Sequence, residues 1–138
     1  MTTGQIVVKC KVVGKNDSSG EVVFSDAPFN FYLTNPLTSE VIEEGHPMKG
    51  KSLKNKIVAL PSGKGSSVVQ VDGLYQLSMH RNAPSGLVIL NPEPTIVSAA
   101  FVADVTLATG IDRDTYDLLR NAKFVELSVK DSEIIIKG

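Results

Sequence analysis

Apolar side chains recur at every second position in Ile6, Val8, Cys10 and Val12, with charged or polar residues between several of them. That period of two predicts a strand over residues 5–13 with one buried face. The cluster Asn16-Asp17-Ser18-Ser19-Gly20 reads as a turn. Residues 21–24 read as a second strand, paired with the first through that turn. The aromatic stretch 27–33 is expected to form a third strand, with Pro28 confining its start to an edge. Residues 41–43 are a short strand at best, and the lysines of 49–56 belong to a solvated loop. Ile57-Val58-Ala59-Leu60 has no polar alternation and stops at Pro61, as a short, fully buried strand does.

The second half alternates helix and strand. From Ser67 to Met79 the period lengthens: Asp72, Gln76 and His80 recur every four residues as a wet stripe, and Val68, Val71, Leu74 and Tyr75 are assigned to the opposite, dry side. Gly73 costs this helix about 1 kcal/mol against alanine, so close packing against another backbone is expected there. Residues 86–90 form an apolar run of the kind parallel sheets bury, ended by Asn91-Pro92-Glu93-Pro94. A short buried helix over 95–103, a strand over 105–108 and an exposed helix over 112–122, capped by Asp112 or Asp114, follow. The chain closes with a hairpin, 124–129 and 133–136, turning at Lys130-Asp131. The fold class is α/β, with a mixed and partly parallel sheet, flanking β-hairpins and about three helices, in a single domain over 1–138.

Composition narrows the function classes. The 138 residues are 42% hydrophobic, enough for one core. A formal net charge of −1 gives no electrostatic case for a nucleic-acid or anionic membrane partner. No apolar run approaches the ~20 residues of a membrane span. Met1-Thr2-Thr3-Gly4 lacks a basic segment ahead of a long apolar stretch, so a secretory leader is not expected. Cys10 is the sole cysteine, which excludes an internal disulfide and points to a reducing, cytoplasmic setting.

Candidate chemistry concentrates at Pro61-Ser62-Gly63-Lys64-Gly65-Ser66-Ser67, a strand-to-helix corner. Unpaired amides and the positive end of a helix dipole meet there, favouring an anion or a reacting hydroxyl. The corner is neither a Walker loop, because Lys64 precedes Gly65, nor a dinucleotide fingerprint, because the third glycine is missing. Its structural reading is a tight turn with Ser66 as N-cap, worth about 1 kcal/mol.

Elsewhere the residues point to structure. His46, followed by Pro47, reads as a loop anchor bonded to a backbone carbonyl. His80 reads as a solvated helix residue, Cys10 as a small core side chain and Asp104 as a buried cap. No cysteine or histidine set has the spacing of a metal site, and the Gly-x-Ser-x-Gly nucleophile elbow is absent.

The corner and its flanks resemble the aconitase X family. The matching stretches are Gly45-His46-Pro47-Met48-Lys49-Gly50-Lys51-Ser52-Leu53, then Lys56 through Ser67, Asn82-Ala83-Pro84-Ser85-Gly86-Leu87-Val88-Ile89, and residues 91–105. Where family members carry a Gly-Gly-Val-Asp-like stretch, this chain has Leu33-Thr34-Asn35-Pro36-Leu37. The resemblance implies a swivelling β/β/α domain serving as the small subunit of an iron–sulfur-dependent hydro-lyase. The cluster, whose iron acts as Lewis acid on the departing hydroxyl, is then carried by a large partner subunit in a heterodimer. Ser66 matches the superfamily's serine base after Gly-x-Gly. Aconitases proper continue with an arginine after the two serines; here Val68 stands in that place. Family activities include dehydration of phosphomevalonate and of cis-3-hydroxyproline. Phosphomevalonate is the expected substrate; cis-3-hydroxyproline, or a non-catalytic binding or assembly role, are the alternatives.

A helix terminus contributes about 0.3–1 kcal/mol, and about 2 at most. At about 1.36 kcal/mol per pKa unit this moves a hydroxyl by under two units, far too little to ionise a serine alone. The remaining groups are therefore expected on the partner. Lys64 either meets a substrate carboxylate or phosphate, or is a solvated loop lysine. Ser67 either donates to substrate or caps the helix. Gly63 and Gly65 are expected to be required sterically. The corner and the 91–94 loop are expected at one end of the sheet, facing the partner.

Overall fold

The computed structural model describes residues 4–138, so the expectation about a leader at Met1–Thr3 lies outside the described residues. Among the described residues, eight strands run in the order β1-β8-β7-β3-β4-β5-β6-β2. They are β1 (Gln5–Lys9), β2 (Lys11–Val13), β3 (Ser18–Phe24), β4 (Ile57–Leu60), β5 (Gly86–Ile89), β6 (Thr106–Thr109), β7 (Phe124–Ser128) and β8 (Glu133–Lys137). The helices are α1 (Ser67–Met79), α2 (Pro94–Ala103) and α3 (Arg113–Leu118). The first and last strands of that order are consecutive in sequence, joined through Cys10. The sheet therefore curls round on itself, and the two edges of the ribbon are held together by one continuous segment.

The expected single strand over 5–13 is thus two strands with different partners: β1 pairs antiparallel with β8, and β2 antiparallel with β6. Cys10 sits at the crossing, its amide donating to Ser132 O at 2.9 Å. It is half-buried rather than a core residue, and burial, then the charge of Glu133, raises its thiol pKa. Ser18-Ser19-Gly20 belongs to β3, not to a turn. That strand does not pair with β1 or β2. Its first half runs antiparallel to β7 and its second half parallel to β4.

Strands β4, β5 and β6 are parallel, as the unbroken apolar runs require. Their alternate side chains feed two cores. Val58, Leu60, Leu87, Ile89 and Leu107 face α1 and α2. Ile57, Ala59, Val88 and Ala108 face the interior of the curled sheet, with Tyr116, Val125, Leu127 and Ile134. The 112–122 helix is α3, capped by Asp112, whose carboxylate accepts from Thr115 N at 2.8 Å, and it continues as a 3-10 turn over Leu119–Asn121.

Residues 27–33 do not form a strand. Phe29 makes an isolated bridge to Gly63, and Phe31–Leu33 is a 3-10 turn whose cap, Asn30 Oδ1, accepts from Tyr32 N. This turn sets the dry face of α1. A Cβ on Gly73 would meet the Tyr32 amide and lie 2.6 Å from the Phe31 carbonyl carbon, so the expected close backbone packing is present. The buried face is consequently Gln70, Gly73, Leu74 and Leu77, and Val68, expected inside, is 76% exposed. Helix α2 is buried along Ile96, Ala99, Ala100 and Ala103 only; Phe101 is 81% exposed. Asp104 is its exposed left-handed C-cap, not a buried one.

Candidate functional site

Because β4 and β5 are parallel, their exits lie at one end of the sheet, and the glycine corner and the 91–94 loop meet there as expected. Asn91 N donates to Pro61 O at 2.8 Å, and Leu90 N to Leu60 O at 3.1 Å. On the other side, Phe29 N donates to Ser62 O at 3.2 Å. The corner is therefore fastened by backbone on both flanks before any side chain is considered.

Its two glycines serve different ends. Gly65 has φ +91°, a region L side chains avoid, and a Cβ there would strike Asn30 Nδ2. Gly63 is buried, and a Cβ on it would fall against Gln70 Oε1 and 2.9 Å from Glu93 Oε1. Gln70 holds the turn from below, its Nε2 donating to Gly65 O at 2.9 Å.

Ser66 is the N-cap of α1, and its Oγ accepts from Val69 N over a long 3.4 Å. The cap is Ser66, so Ser67 does not serve as one. Ser66 and Ser67 are exposed, as are Lys64 and Gly65. Ser66 thus stands at the positive end of a helix with no acidic residue in its first turn. A hydroxyl oxygen that accepts an amide N–H is stabilised in its anionic form, though by far less than full ionisation demands. The Lys64 ammonium lies 2.5 Å from Glu43 Oε2. Glu43 was not expected at the site. It lies in a different loop from the corner, and no local spacing announces the contact.

His46 anchors the loop behind Glu43. Its Nδ1 accepts from Met48 N at 3.1 Å, which fixes the tautomer in which Nε2 donates to Pro28 O at 3.0 Å. His80 is exposed at the end of α1, bonded to Gln76 O. Both histidines are structural, as their sequence contexts suggest.

Next to Ser67 a shallow groove of about 500 Å³ runs between α1 and α2, lined by Ser67, Val68, Val71, Asp72, Tyr75 and Val102. A larger cavity of about 830 Å³ lies at the C-terminal end of α2 against Val13 and Lys15, away from the corner. The groove is the one that shares a residue with the corner.

The residues present do not fit an iron–sulfur cluster. Cys10 is the sole cysteine, too few for a cluster, and it lies at the junction of β1 and β2. Among the described residues no group of three or more His, Cys, Asp or Glu side chains could hold a metal ion. No described helix is long and apolar enough to cross a membrane.

Comparison with known proteins covers nearly the whole chain. The chain is 30% identical over 128 residues to the phosphomevalonate dehydratase small subunit of Methanothermobacter thermautotrophicus, spanning 92% of this chain and 97% of that one. It is 32% identical over 132 residues to the phosphomevalonate dehydratase small subunit of Pyrococcus abyssi, spanning 95% and 98%. The fold matches the crystal structure of Thermococcus kodakaraensis aconitase X (holo-form) with a TM-score of 0.82 at 24% identity, over 95% of this chain and 98% of that one. Residues 7–136 match the model of the aconitase X swivel domain. This chain belongs to the aconitase X swivel domain family.

Proposed function

We propose that this chain, over residues 1–138 as one swivel domain, is the small subunit of an aconitase X-type dehydratase acting on phosphomevalonate. The observation that carries the reading is the near end-to-end similarity to phosphomevalonate dehydratase small subunits, at about 30% identity. The reaction removes a proton from the carbon beside the carboxylate; that C–H pair becomes the new double bond, and hydroxide leaves the neighbouring carbon, giving water. Ser66 is the base that takes the proton. Lys64 binds an anionic group of the substrate, and Gly65 lets the substrate approach the backbone; Gly63, expected to do the same, is buried against Gln70 and Glu93 and instead keeps the turn packed. Ser67 donates a hydrogen bond to it.

The exposure of Ser66 supports this assignment, since a base shared between two chains must be reachable from outside. Its weak local activation supports a partner, because the helix end and one long amide contact leave most of the activation to be supplied. The apolar groove bordering Ser67 fits a face covered by the same large subunit. The family's cluster belongs on that partner, because Cys10 cannot hold it. A reducing cytoplasm is the compartment that suits such a pair.

The test is co-expression with an aconitase X-type large subunit, followed by assay on phosphomevalonate and on cis-3-hydroxyproline. The expected result is a heterodimer that dehydrates phosphomevalonate, with neither chain active alone. Activity of this chain by itself would sink the shared-site reading, and a pair acting only on cis-3-hydroxyproline would replace the substrate.

A further inference from the structure

Among the described residues, four buried side-chain oxygens have no hydrogen-bond partner, and three belong to residues at the glycine corner: Glu43 Oε1, Gln70 Oε1 and Glu93 Oε1. Gln70 and Glu93 converge on Gly63, and Glu43 pairs with Lys64, the residue between the two glycines. The corner is therefore rich in acceptors, with Lys64 as the cation paired within it.

The Glu43–Lys64 pair is lopsided. The Glu43 side chain is 20% exposed and the Lys64 side chain 42% exposed. The loop that carries Glu43 is fastened by its backbone. His46 N donates to Glu43 O at 3.3 Å, Val41 N to Lys51 O at 2.9 Å, and Gly50 N to Val41 O at 2.9 Å. Val41 and Met48, on either side, are fully buried, and the His46 ring packs 4.9 Å from Phe29. A half-buried carboxylate on a backbone-stapled loop thus grips a lysine that comes from a turn with an open front. An exposed ion pair contributes little to stability, so a carboxylate carried on a loop fastened this firmly has more to do with where the ammonium sits. The ammonium has three donors, and one bond to Glu43 leaves two for a ligand.

We infer that Glu43 is a positioning residue: it fixes the Lys64 ammonium at the mouth of the corner so that the lysine meets the substrate's phosphate or carboxylate beside Ser66. The inference deepens the proposed function and rests on it. Without Glu43 the lysine samples its rotamers freely, and that freedom is lost again when substrate binds. Binding of the anion weakens, while proton removal by Ser66 is affected much less.

The experiment uses the reconstituted pair with phosphomevalonate and compares Glu43→Ala, Glu43→Gln, Lys64→Ala and the double variant Glu43→Ala/Lys64→Ala. KM is expected to rise about tenfold in Glu43→Ala, with kcat changed less than threefold. Glu43→Gln, which keeps an acceptor but not the charge, is expected between that and the wild type. In the Lys64→Ala background, Glu43→Ala is expected to add nothing, because the group it positions is gone. Equal effects of Glu43→Ala in both backgrounds, an unchanged KM, or a lowered KM, as a sequestering contact would give, each overturn the inference. If Glu43→Ala fails to assemble, Glu43→Gln in both backgrounds answers the same question. Ser66→Ala separates the two claims. Full turnover in that variant overturns the proposed function and this inference with it, whereas loss of turnover with a KM indifferent to Glu43 overturns the inference alone.

Discussion

The interior of the curled sheet and the glycine corner treat their polar groups in opposite ways. Inside, Tyr116 donates to Ser25 O at 2.6 Å, Thr109 to Ile89 O at 2.8 Å, and Ser25 Oγ to Ala27 O at 2.7 Å. At the corner, Glu43, Gln70 and Glu93 each leave one oxygen without a partner. The fourth such oxygen, Ser18 Oγ, packs against Gly86 within the sheet and stands outside this contrast. Folded chains pair nearly all buried polar groups, because an unmatched one costs about 1–3 kcal/mol. Apart from Ser18 Oγ, the interior is finished by this chain alone. The corner is not, and it is there that Ser66 and Lys64 reach the surface.

The contrast breaks first at Gly65. Gly65→Ala forces a side chain into a left-handed conformation and against Asn30, so stability is expected to fall by about 1–2 kcal/mol. Turnover of the assembled pair is expected to fall about a hundredfold, since a displaced Ser66 no longer meets the substrate. Steady-state kinetics and urea melts of the same preparation separate the two effects. A variant that loses stability but keeps turnover would show that the corner is only a turn.

Tyr116→Phe sharpens the other side. It leaves Ser25 O without its donor, and stability is expected to drop by about 1–2 kcal/mol with turnover per assembled pair unchanged. Burial pushes the Tyr116 phenol well above its ordinary range. From about pH 10 upward the unfolded chain has lost a proton that the native chain still holds, so the native state is penalised as pH rises. Urea melts at pH 8 and pH 10.5 are expected to show this loss in the wild type and a shallower one in Tyr116→Phe. Turnover that falls further in Tyr116→Phe than in Gly65→Ala would reverse the contrast.

How much of this was legible depended on whether local chemistry decided the outcome. Strand β4, the corner and the start of helix α1 are readable residue by residue. Four aliphatic positions, a proline stop, a glycine turn and a serine cap all agree there. The break at Cys10 was not readable, because alternation along 5–13 is the same whether one strand pairs once or two strands pair with opposite edges. Ser18-Ser19-Gly20 has turn composition, yet a partner strand, β7, overrides it. The dry face of α1 holds at Leu74 and Val71 but not at Val68 and Tyr75, which outrank Gln70 in hydrophobicity yet lie exposed. Gly73's contact with the 3-10 turn, invisible in the helix itself, rotates the helix so that Gln70 lies inside. Ser66 and its glycines were found because they are contiguous. Glu43 was not, because only the tertiary fold carries it to the corner, whereas Glu93 arrives with the 91–94 loop that the parallel strand exits place there.

The most direct measurement is the turnover of the purified heterodimer carrying Ser66→Ala, with assembly checked by size-exclusion chromatography. The account predicts that turnover falls about a thousandfold, as expected for a missing general base, while the pair still forms and the lost cap costs about 1 kcal/mol of stability. Turnover within twofold of the wild type in an intact pair would contradict it.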